Sequence, residues 1–102
     1  MPKSDDMKLD GGKPRTDLLP VRPLLEISSV LEFGAAKYGE RRWEAGMEWE
    51  RPYAATLRHL FAWQSGETAD PETGLNHLAH AACELLFLLE YAATGAGKDN
   101  RP

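Results

Sequence analysis

The chain is poor in cysteine, in long apolar runs and in positive charge, and each shortage excludes something. A single cysteine, Cys83, among 102 residues rules out an internal disulfide framework and any cysteine-rich zinc module. It fits a reducing, cytoplasmic setting. The longest apolar tract, over residues 81–93, is broken by Glu84 and Glu90. Nothing approaches the ~18 apolar residues of a membrane span. The start, MPKSDDMKLDGG, lacks the apolar core of a secretory signal. Twelve Lys and Arg against sixteen Asp and Glu leave a net charge of −4. That argues against a partner of long nucleic acid, which needs a basic face. Nucleotides remain open, because they need only a few local cations. No strand alternation and no internal repeat is visible.

What is present is helical periodicity. Residues 1–12 are polar, end in Gly11-Gly12 and read as a flexible leader. Pro23 suits a first helical turn, and Leu24, Ile27, Val30, Leu31, Ala35 and Tyr38 recur at helical spacing. The first helix is therefore expected over 22–38, stopping at Gly39. The segment 40–51 has no clean period, but Trp43, Met47 and Trp49 are too apolar for solvent and should fold back over the bundle. A second helix is expected from Pro52 to Gly66, and a third over 76–93. The expected fold is an all-α bundle of three main helices with a Trp-rich irregular segment. One domain spans 13–94, and a flexible tail spans 95–102. The third helix is apolar nearly all round, so it should be central. Three helices do not readily cover it, which predicts a homo-oligomer.

Polar residues interrupt this pattern in two lines. On the third helix, His77, His80 and Glu84 fall within roughly a 60° arc. They could converge on a metal or ligand; equally, each could be a satisfied polar residue near a helix end. On the second, His59 and Trp63 lie four apart, with Glu67, Asp70 and Glu72 following. An antiparallel hairpin of the two helices would gather the imidazoles and carboxylates at one end. Carboxylates suit Mg²⁺ or Mn²⁺, and added imidazole tolerates Mn²⁺ or Zn²⁺. The competing reading makes the acidic residues solvated turn positions favouring a helix N-terminus, and Glu72 fits it best.

GKPR at 12–15 lacks the phosphate-cradling G-x-x-x-x-G-K-[ST] frame. Lys13 and Arg15 still suit phosphate as a mobile arm, and Lys37, Arg41, Arg42 and Arg58 are further cations of that kind. Trp43 beside Arg41 and Arg42 suits either a stacked base or a core lid. Cys83 lies on an apolar face where a thiol is inert.

The strings GKPRTDLLP, VLEFGAAKYGERRWEAG, YAATLRHLFAWQSGE and DPETGLNHLAHAACELLFLLEY together resemble the N-terminal domain of phage dATP/dGTP diphosphohydrolases, over about residues 8–91. The resemblance implies a small MazG-like helical enzyme. It would cut a purine deoxynucleoside triphosphate to the monophosphate with a divalent metal, Mg²⁺ or Mn²⁺, in the host cytoplasm if phage-encoded. Glu67, Asp70, His77 and His80 sit in the family's G-E-x-x-D-x-E-x-G-x-x-H-x-A-H pattern. Lys13, Arg15, Lys37, Arg58 and His59 match recurrent family positions. In that pattern Asn usually follows the Cys; here Glu84 stands there. The helical Glu-Glu-x-x-Glu and Glu-x-x-Asp motifs of MazG-type enzymes are absent in that form.

The expectation is a metal-dependent nucleotide pyrophosphohydrolase. Glu67, Asp70, His77, His80 and Glu84 are its candidate metal ligands. His59 and Glu67 are its catalytic candidates. Lys13, Arg15, Lys37, Arg41, Trp43 and Arg58 are its substrate contacts. The alternative is a non-catalytic nucleotide-binding protein that sequesters a host signalling nucleotide.

Overall fold

A computed structural model describes residues 11–102. Most of the expected leader, residues 1–10, lies outside the described residues. Three helices carry the fold: α1 (Val21–Tyr38), α2 (Glu50–Gln64) and α3 (His77–Thr94). Single 3-10 turns at Thr16–Leu18 and Arg42–Ala45 precede α1 and α2. Among the described residues there is no strand, only two isolated bridges. The domain is all-α, as the periodicity indicates.

Helix ends follow local chemistry. Gly39 closes α1 at φ 106, its N–H donating to Ala35 O. Gly95 closes α3 in the left-handed region, where a Cβ is disfavoured. Asn76 caps α3, its side chain accepting the N–H of Leu78. The second helix begins two residues earlier than Pro52 suggests, since Glu50 and Arg51 join the first turn. Proline lacks only an N–H that this turn leaves unpaired.

α3 is the central element, packed mainly on α2 and in part on α1. His59, late in α2, meets His77 at the start of α3. Trp43, before α2, meets Phe87 and Tyr91 in the second half of α3. The two helices therefore run antiparallel. The core is small: Val30, Ala79 and Cys83 are buried together, with Ile27, Leu31, Leu75 and Phe87 against them. The Trp-rich segment does fold back. Trp43 stacks on Phe87 with ring centroids 4.5 Å apart, and its carbonyl accepts the Tyr91 hydroxyl at 2.6 Å.

Residues 95–102, expected to be a flexible tail, are instead tied down. Trp49 N–H donates to Lys98 O, and Lys98 N–H to Met47 O. The Trp49 indole donates to Ala96 O at 2.9 Å, and Asn100 accepts the Glu50 N–H. Gly46 and Gly97 make this approach possible. A Cβ on Gly97 would meet Met47 O at 2.2 Å, and one on Gly46 would meet Gly97 N at 2.2 Å. The tail looks frayed by composition because its partners lie about fifty residues upstream.

Candidate functional site

The link between α2 and α3 builds the site. Ala69 and Asn76 form an antiparallel bridge, and His77 N–H donates to Thr68 O. This folds residues 67–76 back over the end of the hairpin. Asp70 organises the turn: its Oδ1 accepts the N–H groups of Glu72 (2.8 Å) and Thr73 (3.2 Å). Its Oδ2 stays free to face His59, 3.8 Å away. Burial alone would raise the Asp70 pKa. The two N–H donors and the neighbouring imidazoles of His80 and His59 outweigh it and hold the carboxyl below its usual range.

His77 is buried and bonded at both ring nitrogens. Its Nε2 meets Glu67 Oε1 at 2.7 Å, so Nε2 carries the proton and donates it to the carboxylate. Its Nδ1 then presents a lone pair, and the Nδ1 of His59 lies 2.9 Å from it. Two nitrogen lone pairs cannot face each other at that distance unless a proton or a cation lies between them. His59, Asp70 and His77 each offer a ligand atom, all within 4.8 Å of one another. His80 stacks on His59, with ring centroids 4.6 Å apart and planes 9° from parallel. Its Nε2 meets the Thr73 hydroxyl at 2.7 Å, and that hydroxyl accepts the Leu75 N–H. Burial pushes both His59 and His80 below the usual histidine pKa, so neutral rings, the form that ligates metal, are favoured.

A cleft of about 1310 Å³ opens from this cluster, between α1, α2, α3 and the Trp-rich segment. His59, Asp70 and His80 line one end; Trp43, Phe87 and Asn100 also line it. Glu84 and Arg58 lie in its wall. Burial lifts the Glu84 carboxyl to about 7, and the positive charge of Arg58 opposes the rise only in part. Cys83 is buried and pushed up to about 12 by burial, with the Glu84 charge adding to it. Its thiol is therefore inert at neutral pH.

The structure separates the sequence candidates. It brings together His59, Asp70 and His77, with Glu67 behind His77 and His80 against His59. Glu84 lies two helical turns beyond His77 and outside that cluster. Lys37 lines the cleft but is paired with Glu72 at 2.6 Å. Arg15 is exposed and paired with Asp17, and Arg41 with Glu44. Lys13 is exposed too, and none of these three lines the cleft. Sequence reasoning passed over Arg51, which does line it together with Arg42. No period marks Arg51, because it sits at a helix start whose position depends on the tail.

No helix among the described residues is long and apolar enough to cross a membrane. A profile of the family described as dATP/dGTP diphosphohydrolase, N-terminal, matches residues 3–101. A dATP/dGTP diphosphohydrolase of Salmonella phage PMBT28 is 39% identical over 82 residues, which cover 80% of this chain and 28% of the relative. The chain thus spans little more than a quarter of that relative's length. No solved structure matches it significantly. The profile match over almost the whole chain, with a relative 39% identical over 80% of it, places this protein in the dATP/dGTP diphosphohydrolase N-terminal family.

Proposed function

We propose that this domain hydrolyses a purine deoxynucleoside triphosphate to the monophosphate and pyrophosphate, with a divalent cation held by His59, Asp70 and His77. The observation that carries the reading is the 2.9 Å approach of the two Nδ1 atoms beside the Asp70 carboxylate. Metal–nitrogen bonds of about 2.1 Å put neighbouring donor atoms roughly 3 Å apart, so the spacing fits a shared ion. Two imidazoles with one carboxylate favour Mn²⁺ over Mg²⁺. When bound, the cation would neutralise phosphate charge and lower the pKa of a water. Glu67 fixes the tautomer and orientation of His77, an outer-shell role rather than a ligand role. Thr73 and the His59 face hold the His80 ring at the cleft wall. Lys37, at the rim beside the Asp70 turn through Glu72, supplies positive charge for phosphate oxygens; Arg42, next to Trp43, and Arg51, at the start of α2, line the cleft farther from the cluster. His59 moves from catalytic base to ligand in this scheme, since its Nδ1 points into the cluster. Glu84 serves no metal role here.

Self-association belongs to the same reading. Leu85, Leu86 and Leu89 on α3 and Val21 and Leu25 on α1 stand exposed; a second copy would cover such a surface.

The test is incubation of the purified protein with each dNTP and Mn²⁺ or Mg²⁺, followed by chromatography of products and retained ligand. Release of pyrophosphate from dGTP or dATP is the expected result. Nucleotide retained intact, with no pyrophosphate under any condition, would replace this reading with nucleotide sequestration.

A further inference from the structure

Glu84 and Arg58 are the unused charges of the cleft. Both lie in its wall, Glu84 from α3 and Arg58 from α2. Among the described residues neither makes a side-chain hydrogen bond or an ion pair, with each other or with anything else. A half-buried carboxylate beside an arginine normally closes on it, because an unpaired charge away from water is costly. Here burial already lifts the Glu84 pKa to about 7, while Arg58 pulls it down without touching it. A carboxyl group and a guanidinium held near each other, both unpaired and both open to one cleft, are a site for a flat group with donors on one edge and acceptors on the next.

The position along α3 decides which group. Glu84 is seven residues beyond His77, about 10.5 Å along the helix axis. With the phosphates beside His59 and Asp70, the two cluster residues that line the cleft, a nucleotide lying along it would bring its base to Glu84. Trp43, stacked on Phe87, stands one turn further and offers an aromatic face.

We propose that Glu84 and Arg58 read the base and select guanine. The Glu84 carboxylate accepts the N1–H and the 2-amino group, and the Arg58 guanidinium donates to O6 and N7, the acceptor pair that arginine matches in a fork. Adenine fits worse. Its N1 turns a lone pair on the carboxylate, and its 6-amino group meets the guanidinium donor to donor. The inference rests on the nucleotide reading of the cleft and supplies its specificity. It moves Arg58 from a phosphate contact to a base contact.

The experiment is calorimetric titration, in Mn²⁺, of the α,β-methylene analogues of dGTP, dITP and dATP into the wild type, Glu84→Gln and Arg58→Gln. Inosine lacks only the 2-amino group. The wild type should bind the guanine analogue about tenfold more tightly than the hypoxanthine one. Glu84→Gln should erase most of that gap. Arg58→Gln should weaken guanine and hypoxanthine alike and adenine little. An unchanged guanine-to-hypoxanthine ratio in Glu84→Gln overturns the proposal. So does an equal loss for all three bases in Arg58→Gln, which marks a phosphate contact and can be read even if Glu84→Gln does not fold. Pyrophosphate release from the natural dNTPs, followed in parallel, keeps the two readings apart. Base preference without hydrolysis sinks the hydrolase and keeps this assignment. Hydrolysis without base preference does the reverse.

Discussion

The two halves of α3 break opposite rules. In the first half, imidazoles are buried: His77 is 3% and His80 8% exposed. From its middle onward, leucines stand in solvent: Leu85 is 48%, Leu86 44% and Leu89 68% exposed. Each anomaly has its own meaning. Buried polar groups persist only when partnered, and no buried side-chain nitrogen or oxygen among the described residues lacks a partner. In the first half those partners come from the 67–76 link folded around the two rings, Glu67 for His77 and Thr73 for His80. Exposed leucines have no such network. One helix thus carries the candidate site at one end and an uncovered apolar face at the other.

The largest effect is expected at the buried end. His77→Ala should reduce pyrophosphate release at least about 100-fold, because it removes a proposed metal ligand and strands Glu67. Chelation of the wild type should do the same, with Mn²⁺ restoring activity; an assay of released pyrophosphate reads both. Glu67→Ala should lower apparent Mn²⁺ affinity by about 10–100-fold, and saturating Mn²⁺ should recover most of the rate. A shift in kcat alone would argue that Glu67 touches the reacting atoms instead.

At the exposed end, the proposed self-association predicts a larger species for the wild type and a monomer for the double change Leu86→Glu and Leu89→Lys in sedimentation velocity. A wild type that sediments as a monomer at micromolar concentration would count against the association surface.

Between the two ends sits Glu84, where stability and function should part. Its folded pKa of about 7 lies above the ordinary 4.5. The folded state therefore favours the protonated form. Stability from this group is full below pH 4.5 and is lost as pH rises through about 7. Glu84→Gln removes that loss. Its Tm should exceed that of the wild type at pH 8, with a gain that shrinks toward pH 4.5. A Tm difference independent of pH would mean that Glu84 is not buried as an acid. The smallest effect is expected from Gly97→Ala, about 1–3 kcal/mol of local stability, read by hydrogen exchange at Lys98 and Trp49.

Much of this was legible in the chain. The helices announce themselves through their apolar period and their Pro and Gly boundaries. The polar lines on the second and third helices identify His59, Glu67, Asp70, His77 and His80 as residues that a hairpin brings together. What spacing does not contain is which atom faces which. Glu67 binds the far nitrogen of His77 while His59 takes the near one, and that follows from the path of the 67–76 link. Cations were the least legible. Lys13, Arg15, Arg41, Arg42 and Arg58 look alike in a sequence, and only tertiary placement separates those on the cleft from those on the outer surface. The anchoring of residues 95–102 is hidden in the sequence for a related reason. Local composition gives Gly95 and Gly97 as disorder, whereas Gly97 is needed for close approach to Met47.

That strap has a consequence for measurement and for control. The indole of Trp49 donates to Ala96 O, and the Arg101 guanidinium lies over its ring, 5.4 Å from the centroid. Detachment of the last few residues would expose this indole and remove the cation above it, changing its fluorescence before α2 and α3 separate. The strap also holds the segment that carries Arg42, Trp43 and Arg51 into the cleft wall. Local unfolding of residues 95–102 and occupancy of the cleft are therefore thermodynamically linked: a ligand seated against Trp43 should quieten this segment, and a weakened hold on it should lower affinity from a distance.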